Sequence, residues 1–322
     1  YSLTMTKLGR LFVAKANGPL LRFDPSTHGL ARVQGYPGLR SPVHELSDGR
    51  LYSSTDTQLV AMDSNGGAAR GMSLGNSGLR QFRAGLVEDI GGWIYLVAQT
   101  GGDGNAGGIL RCRKDGTEAS VFLPFSKLAG SPSDHLPSRE ALATLAKSPL
   151  CFASDGSLYG TLRGRFDNIV YRVTSEGVPS VVLYNQWSFG PSVVFTNGLG
   201  GFTWEGPYAR GLVGGFTEGA DGGLYGIAQP EAEGDYPMLM PAVMRIPVPN
   251  ATLETLSQDS QILNWEPSSG AGYSQRAVSW VRGAEGILYA GTRQGIVSIF
   301  PGRNGVQPVY RTDAVGSFLN PI

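Results

Sequence analysis

The chain has 322 residues with 26 basic and 26 acidic side chains, so its formal net charge is zero at neutral pH. A neutral chain has no overall field to draw it to nucleic acid or to an anionic membrane surface. No run of 18 or more apolar residues predicts a membrane span. The 47 glycines and 20 prolines are spread along the chain, which predicts short strands joined by tight turns rather than long amphipathic helices.

A short motif recurs six times along the chain. Each copy has a glycine, called here the marker glycine, followed two places later by an aliphatic residue and three places later by an aromatic one. The marker glycines are Gly9, Gly49, Gly92, Gly156, Gly222 and Gly286. Glycine tolerates the positive φ that a tight turn requires, so each copy predicts a turn that opens into a strand.

Four short apolar runs surround each marker glycine. In the fourth copy they are residues 150–153, 158–161, 170–173 and 180–183. Four antiparallel strands per repeat, repeated six times, predict an all-β, six-bladed β-propeller, because each blade's apolar faces are buried only by its neighbours. The aliphatic and aromatic side chains alternate in facing. We therefore expect one to pack on the blade before and the other on the blade after.

The spacing of the markers predicts one propeller domain over residues 1–322. The predicted blades are residues 1–36, 41–77, 84–124, 148–184, 211–258 and 277–312, with insertions at 125–147, 185–210 and 259–276. Every repeat has four strands of its own, so we expect the ring to close by packing the sixth blade on the first. Propeller topology places the insertions on one face.

Residues 85–95 and 155–177 carry a more specific pattern, in which Gly-Leu-Val-Glu precedes one marker and Asp-Gly-Ser-Leu-Tyr-Gly-Thr surrounds another. The pattern resembles the GloVer tandem repeat of bacterial surface-associated proteins, and the resemblance is strongest over blades three to five. It implies repeated β-structure and export, and therefore an extracellular or cell-surface location. A start at Tyr1 rather than at methionine is compatible with removal of a secretory signal. The resemblance carries over no catalytic residue.

The insertions and one long turn are rich in aromatic residues. The candidate ligand-binding residues are Trp187, Phe189, Phe202, Trp204, Tyr208, Tyr236, Trp265 and Tyr273. Aromatic side chains on a rigid rim suit stacking on sugar rings or anchoring a protein partner. They would equally serve as small cores that pack long loops onto the ring.

A second candidate site lies where the first strands would line the mouth of the central channel. Its residues are His44, Glu45, Glu88, Glu218 and Arg282. In a six-fold ring Glu45 would lie opposite Glu218, and Glu88 would face Arg282. Converging carboxylates could hold Ca²⁺, and His44 is the candidate general base. The alternative is a solvated channel mouth with a Glu-Arg pair.

Two further sets of residues are predicted to be structural. Arg22, Arg111, Arg172 and Arg245 recur at one position of the third strand, where each guanidinium can reach a neighbouring carbonyl or carboxylate. Cys112 occupies an apolar slot of its repeat and is expected to be buried. Cys151 belongs to the next blade's first strand, so both a disulfide and two thiols remain open.

Two functions are compatible with these patterns. The first is a non-enzymatic extracellular binding or assembly module that presents the aromatic face to a glycan or protein partner, as part of a surface filament or a virus particle. It needs no cofactor, with Ca²⁺ the one candidate. The alternative is a lyase, lactonase or glycosidase in which the channel-mouth glutamates serve as acid and base.

Overall fold

A computed structural model describes most of the first 228 residues and parts of the remainder. The described residues are 2–14, 19–24, 29–33, 38–74, 82, 86–99, 107–127, 150–163, 167–186, 212–228, 242–246, 254–257, 280–282, 286–292, 295–300 and 306–311. They form six four-stranded sheets, called blades one to six in chain order.

The first three blades contain twelve strands. Blade one has β1 (Ser2–Met5), β2 (Leu11–Ala14), β3 (Leu20–Asp24) and β4 (Gly29–Arg32). Blade two has β5 (His44–Glu45), β6 (Leu51–Ser54), β7 (Gln58–Met62) and β8 (Arg70–Ser73). Blade three has β9 (Val87–Glu88), β10 (Ile94–Gln99), β11 (Gly107–Cys112) and β12 (Ser120–Pro124).

The last three blades repeat the arrangement. Blade four has β13 (Cys151–Phe152), β14 (Leu158–Arg163), β15 (Asp167–Val173) and β16 (Pro179–Gln186). Blade five has β17 (Leu212–Glu218), β18 (Leu224–Ala228), β19 (Ala242–Ile246) and β20 (Glu254–Ser257). Blade six has β21 (Trp280–Arg282), β22 (Leu288–Thr292), β23 (Gly295–Ile299) and β24 (Val306–Arg311).

Within each blade the strands follow one another across the sheet in chain order, and neighbouring strands are antiparallel. A meander of this kind places the turn between the first and second strands at the same end of the blade as the turn between the third and fourth strands. A three-residue 3-10 turn lies at Phe125–Lys127, after β12. No helix among the described residues could cross a bilayer.

The turn between the first and second strands, called here the first turn, has the geometry that the motif predicts. In blade four Ala153 donates its main-chain N–H to the Ser157 carbonyl at 2.9 Å, and Gly156 donates to the Ala153 carbonyl at 3.0 Å. The six marker glycines have φ between 73° and 76°. The predicted positive φ is confirmed at all six marker glycines, and the hydrogen-bonded turn is confirmed in the five copies whose turn residues are described.

The two apolar positions of the motif pack on opposite neighbours, as expected from their alternation. The aromatic residue of one blade shares a buried cluster with the aliphatic residue of the next blade. The pairs are Phe12 with Leu51, Tyr52 with Ile94, Tyr95 with Leu158, and Tyr159 with Leu224. Each of these side chains is at most 4% exposed. The core is therefore a series of clusters between blades, not inside one blade.

Contacts join blades that are consecutive in the chain. Among the described residues they occur at the five junctions from blade one to blade six, and the last of them is a contact between β17 and β21. The prediction of a β-propeller with four-stranded antiparallel blades is confirmed. The closed ring of six and the single domain over residues 1–322 stay predictions.

Gly160 in β14 makes room for a buried tyrosine, and a side chain there is expected to destabilise the fold. A Cβ at Gly160 would lie 2.2 Å from Tyr171 Oη, and Tyr171 is 1% exposed. We expect Gly160→Ala to lower the free energy of unfolding by about 1–3 kcal/mol, the usual cost of overpacking. Urea unfolding would measure it. Gly91→Ala is the control, because its Cβ would meet nothing closer than 3.3 Å; equal losses in both variants would contradict the explanation.

Candidate functional site at the first turns

Glu45, Glu88 and Glu218 each end the first strand of a blade and contact the first turn of the preceding blade. Glu45 Oε2 accepts the main-chain N–H of Lys7 at 2.5 Å. Glu218 accepts the main-chain N–H of Ser154 at 2.9 Å to each carboxylate oxygen, and Oε1 also accepts the Ser154 hydroxyl at 2.5 Å. The same connection therefore recurs between blades one and two and between blades four and five.

Glu88 makes the most extensive of these connections, between blades two and three. It accepts the Ser47 main-chain N–H at 2.7 Å and the Ser47 hydroxyl at 2.8 Å. Lys114 Nζ lies 2.5 Å from Glu88 Oε1. Burial by itself would raise the pKa of Glu88, but the bonds from Lys114 and Ser47 outweigh it and hold the pKa below the usual value. Glu88 is therefore a paired carboxylate.

The three glutamates do not converge on one another. Among the described residues, no three His, Cys, Asp or Glu side chains lie close enough together to hold a metal ion. Each carboxylate instead accepts hydrogen bonds from the first turn of the preceding blade. A Ca²⁺ ion needs six to eight oxygen ligands, and the glutamates do not supply a gathered set of them. Arg282, predicted to face Glu88, is exposed at the end of β21 in blade six.

His44 lies beside Glu45 in β5, within blade two. Burial lowers the pKa of His44 to about 4, and its Nε2 atom is buried with no hydrogen-bond partner in the described structure. An imidazole with this pKa is neutral at pH 7 and is a weak base. Cys112 and Cys151, which could act as nucleophiles, are both buried as free thiols.

The cysteines have the environment of core residues. Cys112 is fully buried between blades two and three, as the apolar slot predicts. Burial raises the pKa of both the Cys112 and the Cys151 thiol to about 12. Neither is a thiolate at neutral pH, and the open question of a bridge is settled in favour of two thiols.

The first turns also contain an aspartate that the sequence analysis did not single out. Asp221, one place before its marker glycine, accepts the Tyr225 hydroxyl at 2.9 Å and the Gly223 main-chain N–H at 3.2 Å. Arg245 from the third strand adds Nε at 2.9 Å and Nη2 at 2.8 Å. The aspartate therefore ties the turn to the second and third strands of its own blade.

Blade four repeats this arrangement. Asp155 accepts the Tyr159 hydroxyl at 2.8 Å, and Arg172 Nη2 lies 3.0 Å from the same carboxylate oxygen. The predicted structural role of the recurrent arginine is confirmed in these two blades. In blade three Arg111 instead lies over the ring of Trp93, 4.4 Å from its centroid. The sequence carries a signal for this role, because in blades two, four and five an aspartate directly precedes the marker glycine and a tyrosine lies three places after it.

An open depression of about 530 Å³ lies beside the first turns of blades two to four. It is lined by Ser47, Glu88, Asp89, Ile90, Gly91, Gly92 and Phe152. Ile90 is fully exposed, but both carboxylates are already occupied, Asp89 by Trp93 N–H and the Tyr95 hydroxyl. The depression offers no converging set of free polar groups.

The aromatic candidates of the insertions, Trp187, Phe189, Phe202, Trp204, Tyr208, Tyr236, Trp265 and Tyr273, lie outside the described residues. The structure therefore brings together the first-turn residues and leaves the aromatic site as a prediction.

This fold and its repeated junctions define the class of the protein as a β-propeller of four-stranded antiparallel blades. It is similar to the extracellular domain of a candidate one-component system from Bacteroides thetaiotaomicron, with a TM-score of 0.52 and 13% identity. That match covers 97% of this chain and 35% of the other, so this chain spans about a third of the length of that extracellular domain.

Two enzymes have similar structures over most of their length. A gluconolactonase from Xanthomonas campestris matches with a TM-score of 0.51 and 11% identity, covering 90% of this chain and 82% of that one. A luciferin-regenerating enzyme matches with a TM-score of 0.50 and 13% identity, covering 88% and 80%. At these identities the likeness shows the fold alone. No protein-family model and no curated protein matches the chain.

Proposed function

We propose that this protein is a non-enzymatic, extracellular β-propeller that binds or assembles through its insertions. In this proposal the six sheets close into one ring, with blade six packed on blade one. The aromatic residues of the insertions contact a glycan or a protein partner on the face opposite the first turns. The protein then acts as a structural component of a larger surface assembly.

One observation carries the choice of a binding module over an enzyme. The glutamates that would form the acid, the base or the metal ligands at the channel mouth bind the first turns of preceding blades instead. A general base must reach the proton that it removes, and these carboxylates are directed at main-chain N–H groups. They are placed to hold blades together.

Two further features support an extracellular binding role. The resemblance of blades three to five to GloVer repeats implies export, and one similar fold belongs to an extracellular domain. Loops held by a rigid scaffold commonly carry binding residues. A ring of sheets with aromatic insertions on one face has this arrangement.

Removing insertion aromatics is expected to weaken binding without unfolding the ring. We expect Trp204→Ala and Trp265→Ala each to weaken binding at least about tenfold, the effect of losing an aromatic anchor, with an unchanged melting temperature. A glycan array, and cross-linking to neighbouring proteins in the native assembly, would identify the ligand. Val178→Ala, which alters an exposed side chain in a third-to-fourth-strand turn, is the control. Unaltered binding in both tryptophan variants would contradict the proposal.

The alternative is an enzyme of the lactonase kind, and the similar folds include a gluconolactonase. The test is hydrolysis of simple aldonolactones, with and without added Ca²⁺. We expect no turnover above the uncatalysed rate. Turnover that Glu45→Gln or Glu218→Gln abolishes would favour the enzyme and would overturn the binding-only proposal.

A further inference from the structure

We infer that the position four places before the marker glycine couples blades, and that a glutamate there is a latch onto the first turn of the preceding blade. Coupling of this kind is a separate matter from ligand binding, because it concerns how the ring holds together. This coupling role of Glu45, Glu88 and Glu218 cannot be inferred from the pattern of a single repeat.

The geometry is the same at three junctions. In each, the carboxylate accepts the main-chain N–H of the residue two places before the preceding marker glycine, and that residue is Lys7, Ser47 or Ser154. The donor lies 38, 41 or 64 residues before its glutamate in the chain. A contact repeated at equivalent positions across such separations follows from the propeller geometry, not from local sequence.

The N–H group that the latch binds has no partner inside its own turn. In blade four the hairpin bonds use the N–H groups of Ala153 and Gly156, and the N–H of Ser154 points to Glu218. An ionised acceptor makes a stronger hydrogen bond than a neutral one. One glutamate side chain thus accepts the free N–H of the turn and joins two blades.

Two described junctions lack the latch because the chain has another residue at this position. Phe152 stands there in blade four and stacks on Tyr95 of blade three, with ring centroids 6.4 Å apart. Arg282 stands there in blade six and is exposed. The residue two places before the marker glycine of blade five is Ala220, which is also exposed. Ala220 lies close to the first turn of blade six, since a Cβ on Gly286 would lie 2.7 Å from Ala220 Cβ.

The distribution of latches divides the ring into groups. Blades one to three are joined by two latches, and blades four and five by one. Between blades three and four the packing is apolar. Proteins open locally in cooperative units, so the groups are expected to open separately at junctions without a latch.

The first test removes a latch and measures exchange of the amide that it binds. In Glu218→Ala we expect the Ser154 amide to exchange with solvent about tenfold faster, the effect of losing a hydrogen bond to a charged group. The Gly156 amide, whose acceptor is in its own turn, should keep its rate. Glu176→Ala is the matched control, because Glu176 is exposed and bonds only residues of its own turn, Ser175 and Thr174.

The second test adds a latch where the chain lacks one. Arg282→Glu places a carboxylate opposite the Ala220 amide, and we expect that amide to exchange about tenfold slower, with a melting temperature raised by a few degrees. Arg282→Gln is the control, because it removes the positive charge without supplying a carboxylate.

The outcomes separate cleanly. If the Ser154 and Gly156 amides exchange faster by the same factor in Glu218→Ala, the variant has loosened the fold generally, and the latch is contradicted. Unchanged exchange rates of both amides would contradict it as well. If Glu218→Ala does not fold, Glu218→Gln keeps one acceptor oxygen and should accelerate the Ser154 amide by a smaller factor. An unchanged exchange rate of the Ala220 amide in Arg282→Glu would show that a glutamate at this position does not by itself create the coupling. Loss of glycan or partner binding in any of these variants bears on the proposed function only.

Discussion

Leu158→Ala is expected to lower the free energy of unfolding by about 2–5 kcal/mol, the range for removing a buried leucine side chain. Leu158 is 2% exposed and packs with Tyr95 of the preceding blade and with Val173 of its own. Truncation leaves a cavity between two sheets, and rigid strands on either side limit the collapse that would fill it. Equilibrium unfolding in urea measures the loss.

The control for this variant is Val178→Ala, at a side chain that is 59% exposed. Its effect should stay within about 0.5 kcal/mol. A loss below about 1 kcal/mol for Leu158→Ala would show that blades three and four do not bury their apolar faces against each other, which would refute the propeller core.

Asp221→Asn is expected to lower the free energy of unfolding by about 2 kcal/mol at pH 7, because hydrogen bonds to a charged group contribute about 1.5–3 kcal/mol to stability. The carboxylate holds the Tyr225 hydroxyl and the Arg245 guanidinium around the first turn of blade five. An amide keeps one acceptor oxygen but lacks the charge that pairs with Arg245. Thermal and urea unfolding would both measure the change.

The pH dependence of this variant has a definite sign. Burial alone would raise the pKa of Asp221, but the bonds from Arg245, Tyr225 and Gly223 hold it below the usual value of 3.8. A carboxyl whose pKa is lower in the folded state contributes stability above its unfolded pKa and loses it as pH falls through the folded pKa. The difference in the free energy of unfolding between wild type and Asp221→Asn should therefore have its full value above pH 3.8 and become smaller at lower pH.

Asp115→Asn is the matched control for the aspartate variant. Asp115 accepts the N–H and the hydroxyl of Thr117 in its own turn and is exposed. Its effect is expected within about 0.5 kcal/mol at every pH. An Asp221→Asn penalty that persisted unchanged in acid would contradict the ion pair as its source.

Much of the fold could be predicted from the repeat. The positive-φ glycine and the alternating aliphatic and aromatic positions identify the first turn, the second strand and the neighbours that bury it, and Tyr95 packs with Leu158 as expected. The role of Asp221 could also have been predicted. Aspartate before the marker glycine occurs only in repeats that have tyrosine three places after it, whereas the first repeat has Leu8 and Phe12 at these positions.

The candidate site was less predictable. The position of Glu45, Glu88 and Glu218 before their markers placed them near the inner strands, but the sequence could not show what their oxygens bind. Their partners lie one whole blade earlier in the chain, so only the packing of blades identifies them. The structure gives these carboxylates contacts at the junctions, and their place at the mouth of a channel stays a prediction.

The sequence by itself determined the local structure of this protein: the glycine turn, the order of strands in each sheet and the side chains that must be buried. These depend on backbone sterics and on a two-residue periodicity, which are properties of neighbouring residues. The tertiary structure decided which groups face one another across the junctions, because that depends on the tilt and spacing of whole blades. A carboxylate that could bind a metal, remove a proton or hold a turn is assigned to one of these only by the atoms that the fold brings to it.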